Sequence, residues 1–450
     1  MNTRLRAAVL ASALLSGCAS YTPRPLDPGK TAAALTRRNL SDPRLLRFLT
    51  TEQHRNGPPQ WNLDTLALVA VYERPDMSVA KARLREAQGG ETTAAALPNP
   101  TLSIAPTYDT TVTSSPWTVG PIVSFLIQSY GARPARIARA RARTEEAQEA
   151  IAVTAWQLRA QVRTAMLDAW ATQQNAALAA RRAALAGSYR QAVDQRYQAG
   201  MVSAATLTMA TLAQNQAELQ FASDQRAVRL ARAGLAAALG LPKAALDGID
   251  LDMNGIAHPR QPGSLKPLVH AALTARPDVL AALAHYAAAQ ASLRLAVARQ
   301  YPAIDIGPGY HYDQGDNKFI LSISLPLPIF NQDQGPIAQA RAARQIAAQQ
   351  FLTTQAKALA EIDRAQTDWH ASEAELVSAQ KLREAAADAL DRQRSAFTAG
   401  QIGRLRLLGA ELAYVQSQQG TLTASVHERV ALGHLEVALY HPFLVANRSQ

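Results

Sequence analysis

The sequence predicts a mainly helical protein with a membrane-type β part, written as two similar halves. Three observations predict it: alanine-rich stretches without proline, four segments of alternating hydrophobicity, and repetition at a spacing of about 200 residues. The chain has 450 residues, of which 48% are apolar and 18% charged, so it can bury a core and is not wholesale disordered. A single cysteine excludes a disulfide framework and a thiolate metal cluster. With 46 Lys+Arg against 35 Asp+Glu the formal net charge is +11, which by itself suits a nucleic-acid binder, a membrane-surface protein or an exported protein.

The N-terminus decides among these. Arg4 and Arg6 precede an apolar run from Ala7 to Leu15, followed by Leu15-Ser16-Gly17-Cys18. The run is too short to span a bilayer of ~30 Å, which needs ~20 residues. Leu-Ser-Gly-Cys resembles a bacterial lipobox. Residues 1–17 then form a signal peptide and Cys18 becomes a lipid-carrying N-terminus, with Ala19-Ser20 implying the outer membrane. An exported chain has no nucleic-acid partner. Residues 18–60 are read as an extended N-terminal segment.

The repetition is the most informative feature. Arg74-Pro75-Asp76 recurs as Arg276-Pro277-Asp278, and the segment from Pro100 to Tyr108 recurs from Pro302 to Tyr310. Tyr197-Gln198-Ala199-Gly200 recurs as Phe397-Thr398-Ala399-Gly400. Each half, 61–260 and 261–441, is therefore the same unit, with 442–450 as a tail. A short helical stretch (Leu63 to Glu73; Leu265 to Ala275) meets Arg-Pro-Asp, where proline opens a second helix.

Strands are predicted at about 101–111, 117–128, 302–313 and 318–328. In the first, Leu102, Ile104, Pro106 and Tyr108 share one face; in the fourth, Phe319, Leu321, Ile323, Leu325 and Leu327 alternate with Ser322 and Ser324. Period two over ~10 residues suits a strand with one lipid face and one wet face, and equally a soluble sandwich strand; strand length, aromatic residues near the ends and the export signal favour the membrane version. Long helical hairpins follow, 134–240 and 336–441, since no proline occurs from Ala135 to Leu241 or from Ile337 to His441. Some 64 residues from Pro134 to Tyr197 make a rod of ~95 Å, which must pack against similar rods. Ala-Gly at its end supplies a left-handed cap before the return helix. Four strands cannot close a barrel, and open edges are forbidden in lipid. Copies of the chain must complete it, two giving eight strands and three giving twelve.

The run from Ile323 to Ala338 (Ile-Ser-Leu-Pro-Leu-Pro-Ile-Phe-Asn-Gln-Asp-Gln-Gly-Pro-Ile-Ala), with Leu97-Pro98-Asn99-Pro100 and the twice-used aromatic-x-Ala-Gly turn, resembles the TolC-type outer-membrane factors. Within them it is most similar to the cobalt-zinc-cadmium and copper-silver efflux branch. The resemblance covers about Trp61 to His441. It implies a homotrimer with a twelve-stranded β-barrel and a periplasmic α-barrel, docked through a periplasmic adaptor (membrane fusion protein) onto an inner-membrane pump of RND type. The implied function is a passive outer-membrane duct of a tripartite efflux system carrying heavy-metal cations, with no enzyme activity and no cofactor beyond the lipid on Cys18. Drug, solvent or type I secretion ducts share these features; a periplasmic coiled-coil adaptor would need the hairpins but not the strands.

By the same resemblance the adaptor-docking tips are Tyr197, Ala199, Gly200, Met201, Val202 and Ser203, with Phe397, Ala399, Gly400, Gln401, Ile402 and Gly403. Many members place Asp six residues after the tip glycine; here that position holds Thr206 and Arg406, with Arg404 nearby. Two readings stand for these charges: solvated helix residues, or an entrance latch in which Arg404 and Arg406 pair with Glu411 or Asp391. His427, His434 and His441 fall at seven-residue steps, ~10.5 Å apart along a helix and too far to share one ion, so no metal site is assigned. His311 and Asp313 share a strand face and wet the lumen. No nucleophile elbow, phosphate loop or HExxH occurs.

Overall fold

The computed structural model describes residues 21–54, 57–111, 113–128 and 130–443. The predicted leader, Cys18 and residues 444–450 of the tail lie outside the described residues. The segment read as extended carries two helices, α1 (Pro28–Thr36) and α2 (Pro43–Gln53). Each starts at an Asp-Pro pair: Asp27 and Asp42 accept backbone N–H groups as N-caps, and the proline occupies the first turn, where its missing N–H costs nothing. Two capped starts thus make helices of parts of a segment read as extended.

The first half continues with α3 (Leu63–Glu73), α4 (Pro75–Ala95), short strands β1 (Thr101–Ile104), β2 (Thr107–Tyr108), β3 (Trp117–Val119) and β4 (Pro121–Ile127), then α5 (Ala132–Gln198) and α6 (Ala204–Leu239). A 3-10 turn at Lys243–Leu246 and α7 (Asn254–Ala257) lead to the second half. That half comprises α8 (Lys266–Ala275), α9 (Pro277–Ala298), β5 (Ile304–Asp313), β6 (Asp316–Ser324), α10 (Gln334–Thr398) and α11 (Arg404–Leu439).

The two arms of each long hairpin are unequal. α5 has 67 residues, roughly 100 Å at 1.5 Å per residue, but α6 has 36. α10 has 65 and α11 36. Each return helix stops half-way, and α4 or α9 occupies the rest of the groove beside the long helix. The wall thus runs α4/α6, α5, α9/α11, α10. Buried alanines at seven-residue steps (Ala135 and Ala142; Ala179 and Ala186; Ala210, Ala217 and Ala231) let the backbones approach as in a coiled coil.

The repeated Arg-Pro-Asp motif explains the half-way stop. Pro75 and Pro277 start new helices where the return helices end, and the preceding arginine reaches across. Arg74 Nη1 donates to the Ala237 carbonyl at 3.4 Å, and Arg276 Nη1 to the Ala438 carbonyl at 2.8 Å. A cation on the final carbonyls of a helix opposes the negative end of its dipole. Two short helices therefore abut into one broken rod beside each unbroken one.

A belt of small elements covers one face of the wall at this level. Leu45 and Leu49 of α2, Leu66 and Val69 of α3, Leu158, Val162 and Met166 of α5, and Leu235 and Leu239 of α6 form one core. In the second half, Ala272 of α8 packs on Ile362, Trp369, Leu432 and Leu435. Each fully buried leucine contributes ~1.5–3 kcal/mol relative to exposure.

An ionic cluster ties the halves together. Glu436 of α11, 1% exposed, pairs with Arg159 and, at 3.0 Å, with Arg163 Nε, both from α5. The Arg163 contact is an ion pair without hydrogen-bond alignment; its Nη2 donates to the Arg429 carbonyl at 3.0 Å. Burial lowers the pKa of Arg163. Gly433 makes the room: a Cβ there would stand 1.8 Å from Arg163 Nη1.

Candidate functional site

The strands form one antiparallel sheet ordered (β1,β2)–(β3,β4)–β5–β6. The first two predicted strands are each interrupted, at Ala105-Pro106 and at Gly120, but the register runs through both breaks. Gly120 lies against β5 so closely that a Cβ would meet the Tyr310 carbonyl oxygen at 1.9 Å. Gln314 (φ 51°) and Gly315 (φ 109°) make the two-residue turn between β5 and β6, the positive-φ geometry of a tight hairpin. β6 ends at Ser324, before Pro326 and Pro328, which have no N–H to offer a ladder.

Pairing places most of the apolar rows on one face, with Ile122, Leu126 and Ile320 on the other. Leu102 stands opposite Val123, Phe125 opposite Ile306, Ile306 opposite Ile323, and Tyr310 opposite Phe319. This face is bare: Phe319 is 88% exposed, Leu321 63% and Ile323 65%. The other face holds Thr101, Ser124, Gly307, Ser322, His311, Asp313 and Lys318, the last two ion-paired. An apolar face open to the surroundings is the signature of contact with lipid, and the polar face is then the wet one. Aromatic rings mark both ends. Tyr108 packs on Trp117 at 4.9 Å near the strand turns, and Tyr130 stacks on Tyr301 at 4.0 Å where strands give way to helices. The outer edges of β1, β2 and β6 pair with no described strand.

The helical wall has its own two faces. Opposite the belt, a groove of about 1080 Å³ runs across α6, α5, α11 and α10, lined by Ala160, Thr164, Asp168, Gly234, Glu361, Arg364, Asp368 and His434 among others. Since Leu158, Val162 and Met166 of α5 turn to the belt, this groove lies on the far side of the wall, continuous with the space a closed tube would enclose.

The hairpin tips carry the same backbone. Gly200 (φ 72°) and Gly400 (φ 73°) are left-handed, and the next residue donates back across the turn: Met201 to the Arg196 carbonyl and Gln401 to the Ala396 carbonyl, both at 2.8 Å. Their chemistry differs. At the first, Met201 is 72% exposed and Ser203 Oγ accepts from the Thr206 N–H; at the second, Gly403 offers no side-chain cap. Tyr197, Ala199, Val202, Phe397, Ala399 and Ile402 complete the two turns, which adjoin: a Cβ at Gly403 would stand 3.0 Å from Arg196 Nη2.

Within the protomer the expected latch pairing is not made. Asp391 and Glu411 both pair with Arg394, at 3.4 and 3.8 Å, and not with Arg404 or Arg406. Glu411 lies two turns along α11 from Arg404, about 10 Å away on the axis, whereas Arg394 faces it from α10. Sequence reasoning passed over Arg394, which lies one turn from Asp391 on the same helix and also faces Glu411 from α10. Among the described residues no group of three His, Cys, Asp or Glu side chains forms a resident metal site.

Comparison with known proteins gives consistent matches. The sequence profile of a family described as outer membrane efflux protein matches residues 69–241 and 268–439. The cobalt-zinc-cadmium resistance protein CzcC of Cupriavidus metallidurans is 28% identical over 364 residues, covering 79% of this chain and 84% of that protein. The outer membrane protein VceC of Vibrio cholerae superposes with a TM-score of 0.69 at 20% identity, over 85% of this chain and 96% of that one. The outer-membrane channel OprN gives 0.69 at 18% identity, over 95% and 99%.

Proposed function

The chain belongs to the outer membrane efflux protein family, and on that premise we propose that it is the passive outer-membrane duct of a tripartite system exporting heavy-metal cations. One observation carries the reading. A four-stranded antiparallel sheet, apolar outside and free at both edges, sits at the end of two hairpins about 100 Å long. Because the strand number per chain is even, β6 of one copy meets β1 and β2 of the next antiparallel, and the tube closes by repetition alone. Three copies give a twelve-stranded barrel and an α-barrel beneath it, and duplication of one ancestral unit accounts for the two halves. Cys18 carries the lipid anchor. The tip residues from Tyr197 to Ser203 and from Phe397 to Gly403 meet the periplasmic adaptor, which connects to an RND-type pump supplying the energy. Metal cations as cargo are supported by the resemblance to CzcC, a cobalt-zinc-cadmium resistance protein.

Arg394 holds both carboxylates within a protomer, so a latch from Arg404 and Arg406 to Glu411 or Asp391 requires those pairs to exchange as the entrance closes. Arg406→Ala is expected to raise closed-state conductance in bilayers; unchanged current removes the latch.

The main test is assembly and phenotype. Purified mature protein is expected as a detergent-dependent, β-containing trimer, and deletion of the gene is expected to sensitise cells to zinc, cobalt or cadmium. A water-soluble monomer overturns the duct, and sensitivity to drugs alone overturns the cargo.

A further inference from the structure

Two histidines lie on the face of the helical wall opposite the belt, each facing a carboxylate of the opposing helix. His434 of α11 stands 4.0 Å from Asp368 of α10, and His427 stands 3.3 Å from Glu375. The two pairs keep one antiparallel register, seven residues along α10 and seven back along α11, so they stand ~10.5 Å apart on one face. His434 and Asp368 line the groove opposite the belt, and the seven-residue step keeps His427 and Glu375 on that side. The ladder ends there: α11 stops at Leu439, before His441, and Glu361, the next carboxylate in register, is held by Arg276 at 3.1 Å.

We propose that the two rungs, His434/Asp368 and His427/Glu375, are transit sites where a borderline divalent cation pauses on its way along the duct. This rests on the duct reading above. Imidazole nitrogen and carboxylate oxygen bind zinc-like ions at ~2.0–2.2 Å, so adjacent ligands of a tetrahedral shell stand ~3.4 Å apart, close to the separation of the His427 rung. One nitrogen and one oxygen leave the remaining positions to water. Such a site binds weakly and releases, as conduction requires, in contrast to a closed structural centre. Arg364, one turn from Asp368 in the same groove, further limits retention. Two other histidine–carboxylate pairs, His285/Glu146 and His370/Glu373, both at 3.3 Å, stand outside this register.

The experiment uses untagged full-length mature protein in detergent, with Co2+ alone as the probe, read by equilibrium dialysis and by its visible d–d absorption. In a His285→Gln/His370→Gln background two Co2+ per chain are expected. Adding His427→Gln/His434→Gln, or Asp368→Asn/Glu375→Gln, is expected to weaken binding at least tenfold with circular dichroism and assembly unchanged. Unchanged binding in either ladder variant overturns the proposal. So does an equal loss on removing only His285 and His370, which would mark ordinary surface binding. Cells whose wild-type protein confers no metal tolerance would refute the cargo reading separately, because the Co2+ measurement does not depend on a pump.

Discussion

The two Arg-Pro-Asp junctions share a sequence and a place in the wall but differ in construction. In the first half the work is divided. Arg74, 23% exposed, pairs with Asp76, while Arg38 from the N-terminal segment donates to the carbonyls of Glu73 at 2.7 Å and Gly240 at 3.0 Å. In the second half Arg276, 5% exposed, acts alone. It pairs with Asp278 through two nitrogens, reaches Glu361 and the Ala438 carbonyl, and lies 4.8 Å over the ring of Tyr440. Position 440 is the counterpart of Gly240, and both are left-handed, at φ 49° and 74°. A tyrosine is retained there because its ring also stacks on Trp156, 5.4 Å away; burial pushes its hydroxyl pKa up to about 12. The same task is thus met by an exposed, shared arrangement or by a buried, concentrated one, and the two should fail differently.

Removing the arginines gives the largest contrast. Arg276→Ala leaves Asp278 and Glu361 facing a half-buried void and is expected to cost about 3–5 kcal/mol. Arg74→Ala, with Arg38 still in place, is expected to cost about 1 kcal/mol or less. Thermal unfolding of the purified assembly reads both, and equal losses would erase the distinction.

Glycines sharpen it next. Gly433→Ala drives a methyl into Arg163 and strips Glu436 of a partner, with an expected loss of about 2–4 kcal/mol. Gly234→Ala, with nothing within 4 Å of the new Cβ, is expected to be neutral or to stabilise by up to about 1 kcal/mol through helix propensity. A large loss at both positions would show that helix packing, and not the guanidinium, sets the cost.

The smallest effect is in pH. Burial raises the pKa of Glu73 in the first half and of Glu428 in the second. A carboxyl whose folded pKa lies above its unfolded one takes up a proton on folding, so its contribution is greatest below the unfolded pKa and declines as pH rises through the folded one. Glu428→Gln is expected to stabilise slightly at neutral pH and to flatten the fall in stability as pH rises above the ordinary glutamate range. Glu73→Gln should do less, because Glu73 also gives up its ion pair with Arg38 at 3.0 Å.

Whatever depended on short-range pattern was legible in the sequence. Period-two rows put Leu102, Phe125, Ile306 and Phe319 on one face, and Gly200 and Gly400 marked the turns. What depended on contacts between distant residues was not. Nothing near Leu239 announces that α6 stops against Pro75, more than 160 residues earlier, and the role of Arg276 is visible only once Ala438 lies beside it. The histidines at seven-residue steps were dismissed because spacing was judged along one helix, while their partners Glu375 and Asp368 come from another. The N-terminal helices were missed because the capping signals at Asp27-Pro28 and Asp42-Pro43 were passed over.

The broken rods have a mechanical consequence. α5 and α10 pass the belt without interruption, but α6 meets α4, and α11 meets α9, across a gap bridged only by side chains. Flexing there breaks no helical ladder, so each hairpin is a stiff spar lashed to a jointed one. A 36-residue arm reaches about 54 Å below the joint, and a tilt of roughly 5° swings its tip by about 5 Å. A change of angle at such a joint is therefore felt most at the tip, the part of the arm farthest from it.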